Sequence, residues 1–166
     1  GLMETDYEYA VVRDARDMPA AAVIGAEAGR RAAARLGGVK LETRTAPVLF
    51  PARVARGLIG SLLSAISGGA LYRKASFLVD SLGTQVFASC MTIDERPHLH
   101  KALASAPFDE EGVATTERRL VEAGVPNGYM LGSYYARKLG MASTGNAGGA
   151  HNLVVQNTGE SFAERL

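Results

Sequence analysis

Cysteine is nearly absent from this chain: Cys90 is the only one in 166 residues. No internal disulfide can form, so a small secreted fold stapled by bridges is excluded and a cytoplasmic protein is expected. Surplus charge is missing too. Eighteen basic and seventeen acidic residues leave a formal net charge of +1, and the basic ones are scattered, which argues against direct binding of duplex DNA. A long uncharged apolar run is also lacking. The most apolar stretch, VARGLIGSLLSAISGGALY, is interrupted by Arg56 and flanked by Arg53 and Arg73, short of the roughly 18 uncharged residues a membrane span needs. The opening, GLMETDYEYAVVRD, has no basic region followed by an apolar one, so no signal peptide is expected in it. It reads as a strand entered midway, and the closing ESFAERL reads as a helix just begun; both point to a piece of a longer polypeptide.

What is present is the composition of a folded protein. With 47% apolar and 21% charged residues, the chain can bury a core, and its length fits a single domain over residues 1–166. YEYAVVR alternates as a strand, with Tyr7, Tyr9 and Val11 on one face. An alanine-rich helix follows, with Pro19 in its first turn and Gly37-Gly38 at its end. Arg30, Arg31 and Arg35 lie near its C-terminus, where cations oppose the helix dipole. VKLETRTAPVLF, residues 39–50, reads as a second strand. The spacing of Val54, Leu58, Leu62 and Ile66, widened by Ile59 and Leu63, predicts a helix from Ala52 to Ile66 with that stripe on the core. Another face carries Gly57, Gly60, Ser61, Ser64 and Gly68. Glycine costs about 1 kcal/mol in a helix, so this stripe predicts the close approach of another backbone.

ALYRKASFLVDSLG reads as a loop or short helix carrying Tyr72, Arg73, Lys74 and Asp80. TQVFASCMTI reads as a strand that holds Cys90 in or near the core. Residues 113–131 predict a hairpin about Ala123-Gly124, SYYARKLG a short helix ended by Gly140, and STGNAGGAHNLVVQ a glycine-rich loop entering a strand near Asn152 to Gln156. The fold class is α+β, a mixed or antiparallel sheet with a few packed helices.

Candidate chemistry is sparse. His98-x-His100 would share one side of a strand, but Pro97 and KALASAPF make the stretch a loop, and a third ligand from His151 has no motif to fix it. Asp94, Glu95, Asp109, Glu110 and Glu111 could supply an acid–base pair, although FDEEG reads more simply as a solvated turn. The Gly145–Gly149 loop could present N–H groups to an anion or peptide carboxylate, yet it lacks the lysine and Ser/Thr of a phosphate loop. There is no Gly-x-Ser-x-Gly elbow.

Three stretches go further. PVLFPARVARGLIGSLLSAISGGALYRKASFLVDSLGTQV, PFDEEGVATTERRLVEAGV and SYYARKLGMASTGNAGGAHNL, in that order, resemble the TldD/PmbA family, on the side of its PmbA (TldE) branch. The resemblance implies the central-to-C-terminal part of a larger two-domain protein, without its N-terminal domain and C-terminal end. It also implies a subunit of a cytoplasmic zinc metallopeptidase that acts on unfolded proteins and peptides, the family being described as well as a modulator of DNA gyrase. In the TldD branch a His-Glu-x-x-x-His helix supplies two zinc ligands and the general base. Matching the shared downstream SLG places that motif on Ile59 to Ser64, with Ile59 and Ser64 at the histidines and Gly60 at the glutamate. None can ligate zinc, and no histidine precedes His98.

The implied role is therefore a partner with no metal or catalytic residue of its own. Zinc would sit in a TldD-like paralogous subunit, or the chain would pair as a homodimer around an unfolded protein or peptide. Gly60 and Ser64 would leave room where the other branch holds zinc, and Tyr72, Arg73, Asn146 and Asn152 are candidate peptide or partner contacts. Two other classes stay open at this level: an independent metal enzyme using His98, His100 or His151, and a binding module acting on gyrase.

Overall fold

The computed structural model describes residues 3–159 and 161. The chain divides into two compact units, Gly1–Val48 and Leu49–Leu166, each taken by itself.

In the first unit an extended segment precedes a 3-10 turn, Ala15–Asp17, and helix α1, Ala21–Ala34. The strand expected at 7–13 does not form: the segment joins no ladder within the unit. Tyr7 and Tyr9 do share a face, stacked at 6.2 Å. Ion pairs hold the segment instead. Arg31 binds Glu8 and Glu27, and Arg35 reaches Glu4 at 3.4 Å and the carbonyl of Thr5 at 3.2 Å. The arginines at the end of α1 thus tie down chain as well as opposing the dipole. No described residue between 3 and 48 is buried. The expected strand at 39–50 is irregular and exposed throughout, since an apolar run with no neighbouring strand has no partner for its backbone groups.

The second unit holds the core. Helices α2 (Ala52–Ala65), α3 (Gly68–Tyr72) and α4 (Ser133–Lys138) accompany strands β1 (Ile93–Glu95), β2 (Arg118–Glu122), β3 (Val125–Pro126) and β4 (Leu153–Val155). These strands form one antiparallel sheet in the order β3-β2-β1-β4, so the fold is α+β as expected. The hairpin turns at Ala123-Gly124, both at positive φ (46° and 83°), the pairing that suits strand twist. The β1–β2 register passes from Ile93↔Val121 to Asp94↔Arg119, leaving Leu120 unopposed. This bulge lets the adjacent Leu120 and Val121 both be buried.

Ile66, Leu71, Leu78, Ile93, Leu120 and Leu131 centre the core, and Tyr129 donates its hydroxyl to the carbonyl of Leu78 at 2.9 Å. The α2–α3 junction is laced to the post-hairpin segment, Gly68 N–H to Met130 C=O and Met130 N–H to Ile66 C=O, each at 3.0 Å.

Three expectations need correction. Only the C-terminal half of the α2 stripe is core: Leu62 and Ile66 are buried, whereas Val54 and Leu58 are about half exposed. TQVFASCMTI is not a strand before Ile93; it wraps the hairpin turn, with Val86 and Phe87 N–H groups donating to Gly124 C=O. Cys90 is consequently exposed. The helix expected at ESFAERL falls on residues 160 and 162–166, outside those described. No described helix is long and apolar enough to cross a membrane.

Candidate functional site

A cleft of about 660 Å³ opens in the second unit, within the size range of ligand sites. One wall is the end of α2 and the start of α3 (Leu63, Ser67, Gly68, Gly69), another is α4 (Tyr134, Tyr135), and the floor is the glycine-rich loop 146–150. Glu110, Glu111, Met130 and Gly132 complete the lining. The walls meet closely because Gly68 has no side chain. A Cβ there would lie 2.5 Å from Tyr135 Cβ and 3.1 Å from a Leu131 methyl.

The loop is fixed from beneath by a buried polar network. Glu95, 1% exposed, accepts from Arg118 Nε at 2.7 Å, Asn146 Nδ2 at 2.7 Å and His151 N–H at 2.9 Å. Arg118 also donates to Asn146 Oδ1 at 2.8 Å and Tyr129 C=O at 2.9 Å. Burial alone would push the Glu95 carboxyl up; the His151 N–H, Arg118 and Asn146 outweigh it and hold the group below its usual range. Asp109 works likewise from the opposite side. Its oxygens accept the N–H groups of Glu111, Val113 and Ala147, each at 2.9 Å. Burial opposes the charge, and these N–H donors, Ala147 first, prevail and lower its pKa. The FDEEG turn is exposed as expected at Phe108, Glu110, Glu111 and Gly112, but Asp109 is buried, and Glu111 accepts the N–H of Ser133 at 2.7 Å at the start of α4.

These two depressed carboxyls set a pH dependence. Their folded pKa values lie below the unfolded ones, so their stabilisation is complete above about pH 4.5. It is lost as pH falls through the folded values. Thermal unfolding followed against pH is expected to show a steep fall below about pH 4, and Asp109→Asn is expected to start lower and fall less steeply over that range.

The candidate residues do not form one constellation. Asn146, 5% exposed, spends its amide on Glu95 and Gly149 C=O and its oxygen on Arg118 and Thr144. Asn152 staples the 96–105 loop, donating to Arg96 C=O and Ser105 Oγ and accepting from Ala104 N–H. Both side chains are engaged within the chain. Gly60 and Ser64 lie on an exposed face of α2, the Ser64 hydroxyl donating to Gly60 C=O at 3.1 Å. A Cβ on Gly57 or Gly60 would meet nothing within 4 Å, so the close neighbour expected of the small-residue stripe is not supplied along that stretch by the described residues. Gly68 does meet one. Tyr72 and Arg73 are exposed beside α4.

The residues do not fit a zinc ion on α2. Ile59 and Gly60 offer no side-chain donor, and the Ser64 hydroxyl is already engaged. The histidines are dispersed: His98 Nε2 meets Thr115 Oγ1 at 3.1 Å, His151 Nδ1 meets Glu95 at 3.2 Å, and His100 is exposed. Among the described residues no three His, Cys, Asp or Glu side chains form a metal-binding group. Arg118, the centre of the loop-holding network, was not singled out by sequence. Its signal was the Asp94-Glu95 pair, which lies across the sheet from Arg118-Arg119.

Comparison with known proteins fits this geometry. Residues 43–166 match the family model described as the PmbA/TldA metallopeptidase C-terminal domain. The chain is 48% identical over its whole length to Metalloprotease PmbA of Escherichia coli O157:H7, spanning 37% of that protein. It is 47% identical over 93% of its length to the Metalloprotease PmbA homolog of Haemophilus influenzae, spanning 34% of it. A crystal structure from Thermotoga maritima, described as a putative modulator of a DNA gyrase, superposes with a TM-score of 0.85 at 32% identity, covering 95% of this chain and 37% of that one. TldE from Thermococcus kodakarensis matches over 63% of this chain and 26% of its own, with a TM-score of 0.55 at 29% identity. The chain spans about a third of the curated relatives it matches, and it belongs to the PmbA/TldA metallopeptidase family, its residues 43–166 matching that family's C-terminal domain.

Proposed function

We propose that this chain is the part of a TldD/TldE-type peptidase that binds no metal: it shapes a chamber for unfolded protein or peptide, while zinc and the general base reside in a TldD-like partner subunit. The observation that carries the reading is the identity of α2. At the position to which the resemblance assigns the ligand helix stand Ile59, Gly60 and Ser64, and the Ser64 hydroxyl is turned back to Gly60 C=O. Support comes from the open face around Gly57 and Gly60, with Val54 and Leu58 exposed beside it. Such a face suits contact with a second subunit, a TldD-like paralogue or another copy, or with an extended peptide.

In this reading the chain's own residues bind and orient. The cleft between α3 and α4 offers tyrosine rings and glycine-loop backbone to a peptide, and Glu95, Arg118, Asn146 and Asp109 hold that loop in place. No proton transfer or nucleophilic attack is assigned to them. The assembly is expected in the cytoplasm. The test is metal content: the full-length form of the chain, purified alone, is expected to carry no stoichiometric zinc.

A further inference from the structure

Four cations gather where α3 ends and α4 runs beside it: Arg73, Lys74, Arg137 and Lys138, all exposed. Two exposed tyrosines lie among them, Tyr72 at 46% and Tyr134 at 54%. Lys138 Nζ stands over both rings, 5.9 Å from the centroid of Tyr72 and 5.7 Å from that of Tyr134. This tie fixes the patch as one surface. Arg73 joins it at the rim of the cleft, since a Cβ on Gly69 would lie 3.3 Å from both Arg73 Nη1 and the Tyr135 hydroxyl.

The charge here is only partly compensated, since Arg137 lies near enough to Glu111 to help hold that carboxyl below its usual range. Several arginines elsewhere are matched with acids: those of α1 with Glu27, Glu8 and Glu4, those of β2 with Glu95, Asp94 and Glu122. Among the described residues no carboxylate makes a salt bridge with Arg73, Lys74 or Lys138, and Arg137 meets Glu111 only at longer range. Lys74 completes the group of four. It sits at φ 54° after the last turn of α3, a conformation glycine adopts freely and other residues adopt at a cost of about 1 kcal/mol.

We infer that this patch is a docking surface for an acidic polypeptide segment, one bearing several separated carboxylates. Arginine and lysine beside exposed aromatic rings are a recurring means of holding acidic motifs. The occupant is a polypeptide and not a nucleic acid strand because the positive surface is short. Glu110 and Glu111 line the adjoining cleft, and the chain as a whole has a net charge of only +1. A continuous phosphate backbone would run from the patch into that acidic wall, whereas discrete carboxylates would not. The inference deepens the peptide-handling reading at Tyr72 and Arg73, and its test reads binding alone, so its failure is distinct from any result on zinc.

The test is fluorescence anisotropy on the full-length protein. The probes are a labelled peptide alternating glutamate and glycine, the same peptide with glutamine for glutamate, and a short oligothymidylate. The glutamate peptide is expected to bind and to weaken with added salt, and the glutamine peptide to bind at least about tenfold more weakly. Arg73→Gln with Lys138→Gln is expected to cost the glutamate peptide about tenfold, at an unchanged unfolding temperature, and Lys74→Gln with Arg137→Gln to act in the same direction. Equal binding of the two peptides, no binding of either, or unchanged affinity in both double variants would overturn the inference. Tighter binding of the oligothymidylate would overturn the choice of a polypeptide.

Discussion

Arg118→Ala is expected to destabilise the protein by about 3–5 kcal/mol, the usual cost of leaving a buried charge without its partner. Glu95 has 2% of its side chain exposed and meets Arg118 at 2.7 Å. Without the guanidinium the carboxylate keeps two N–H donors and the His151 ring but no fixed positive charge beside it. Arg118 also holds Asn146 and the Tyr129 carbonyl, so the floor of the cleft would loosen with it. Urea unfolding measures the loss. Combining Arg118→Met with Glu95→Leu is expected to recover part of it, because removing both charges removes the desolvation cost as well. A double variant as unstable as Arg118→Ala would assign the effect to lost packing instead.

Gly124→Ala is expected to cost about 3 kcal/mol or more. The residue sits at φ +83°, and a Cβ there would collide with the Phe87 carbonyl and approach that of Ala88 to 2.8 Å. Neither is a flexible side chain that could swing aside. Gly124 also organises the 86–91 segment, accepting from Val86 and Phe87 N–H at 3.1 and 3.0 Å and donating to Met91 C=O at 2.8 Å. Ala123→Gly, one residue earlier at φ 46°, is the control. It relieves a left-handed alanine and is expected to be neutral or stabilising by up to about 1 kcal/mol. Thermal unfolding of the pair separates a strained turn from a sequence-tolerant one.

Much of the second unit was legible because its signals are local. The four-residue spacing of α2, the Ala123-Gly124 turn and the Gly140 stop each act within a few residues, and each element appeared where expected. What failed depended on partners. Residues 7–13 and 39–50 have strand-like patterns, but a strand exists only when another chain segment takes up its hydrogen bonds, and neither unit supplies one from within itself. TQVFASCMTI has a strand's composition, yet it follows the hairpin turn that Gly124 organises. Val54 and Leu58 have the spacing of core residues and remain exposed.

The site divides in the same way. That α2 carries Ile59, Gly60 and Ser64, none of them a histidine or glutamate, was readable from letters alone. That Asn146 and Asn152 are inward staples was not, because their partners Glu95, Arg118, Arg96 and Ser105 lie about 30 to 60 residues away in sequence. The burial of Asp109 in the FDEEG turn was hidden for the same reason. Glu110 and Glu111 are exposed as the letters suggest, whereas Asp109 is buried once the backbone N–H of Ala147 is brought to it.

The central claim is that this chain contributes surface and not metal. Its most direct test is elemental analysis of the full-length form purified without chelator, alone and after mixing with the histidine-bearing TldD-like protein proposed as its partner. The account predicts zinc near one per complex and none above background in this chain by itself. Stoichiometric zinc in the lone chain would contradict it and would return attention to His98, His100 and His151.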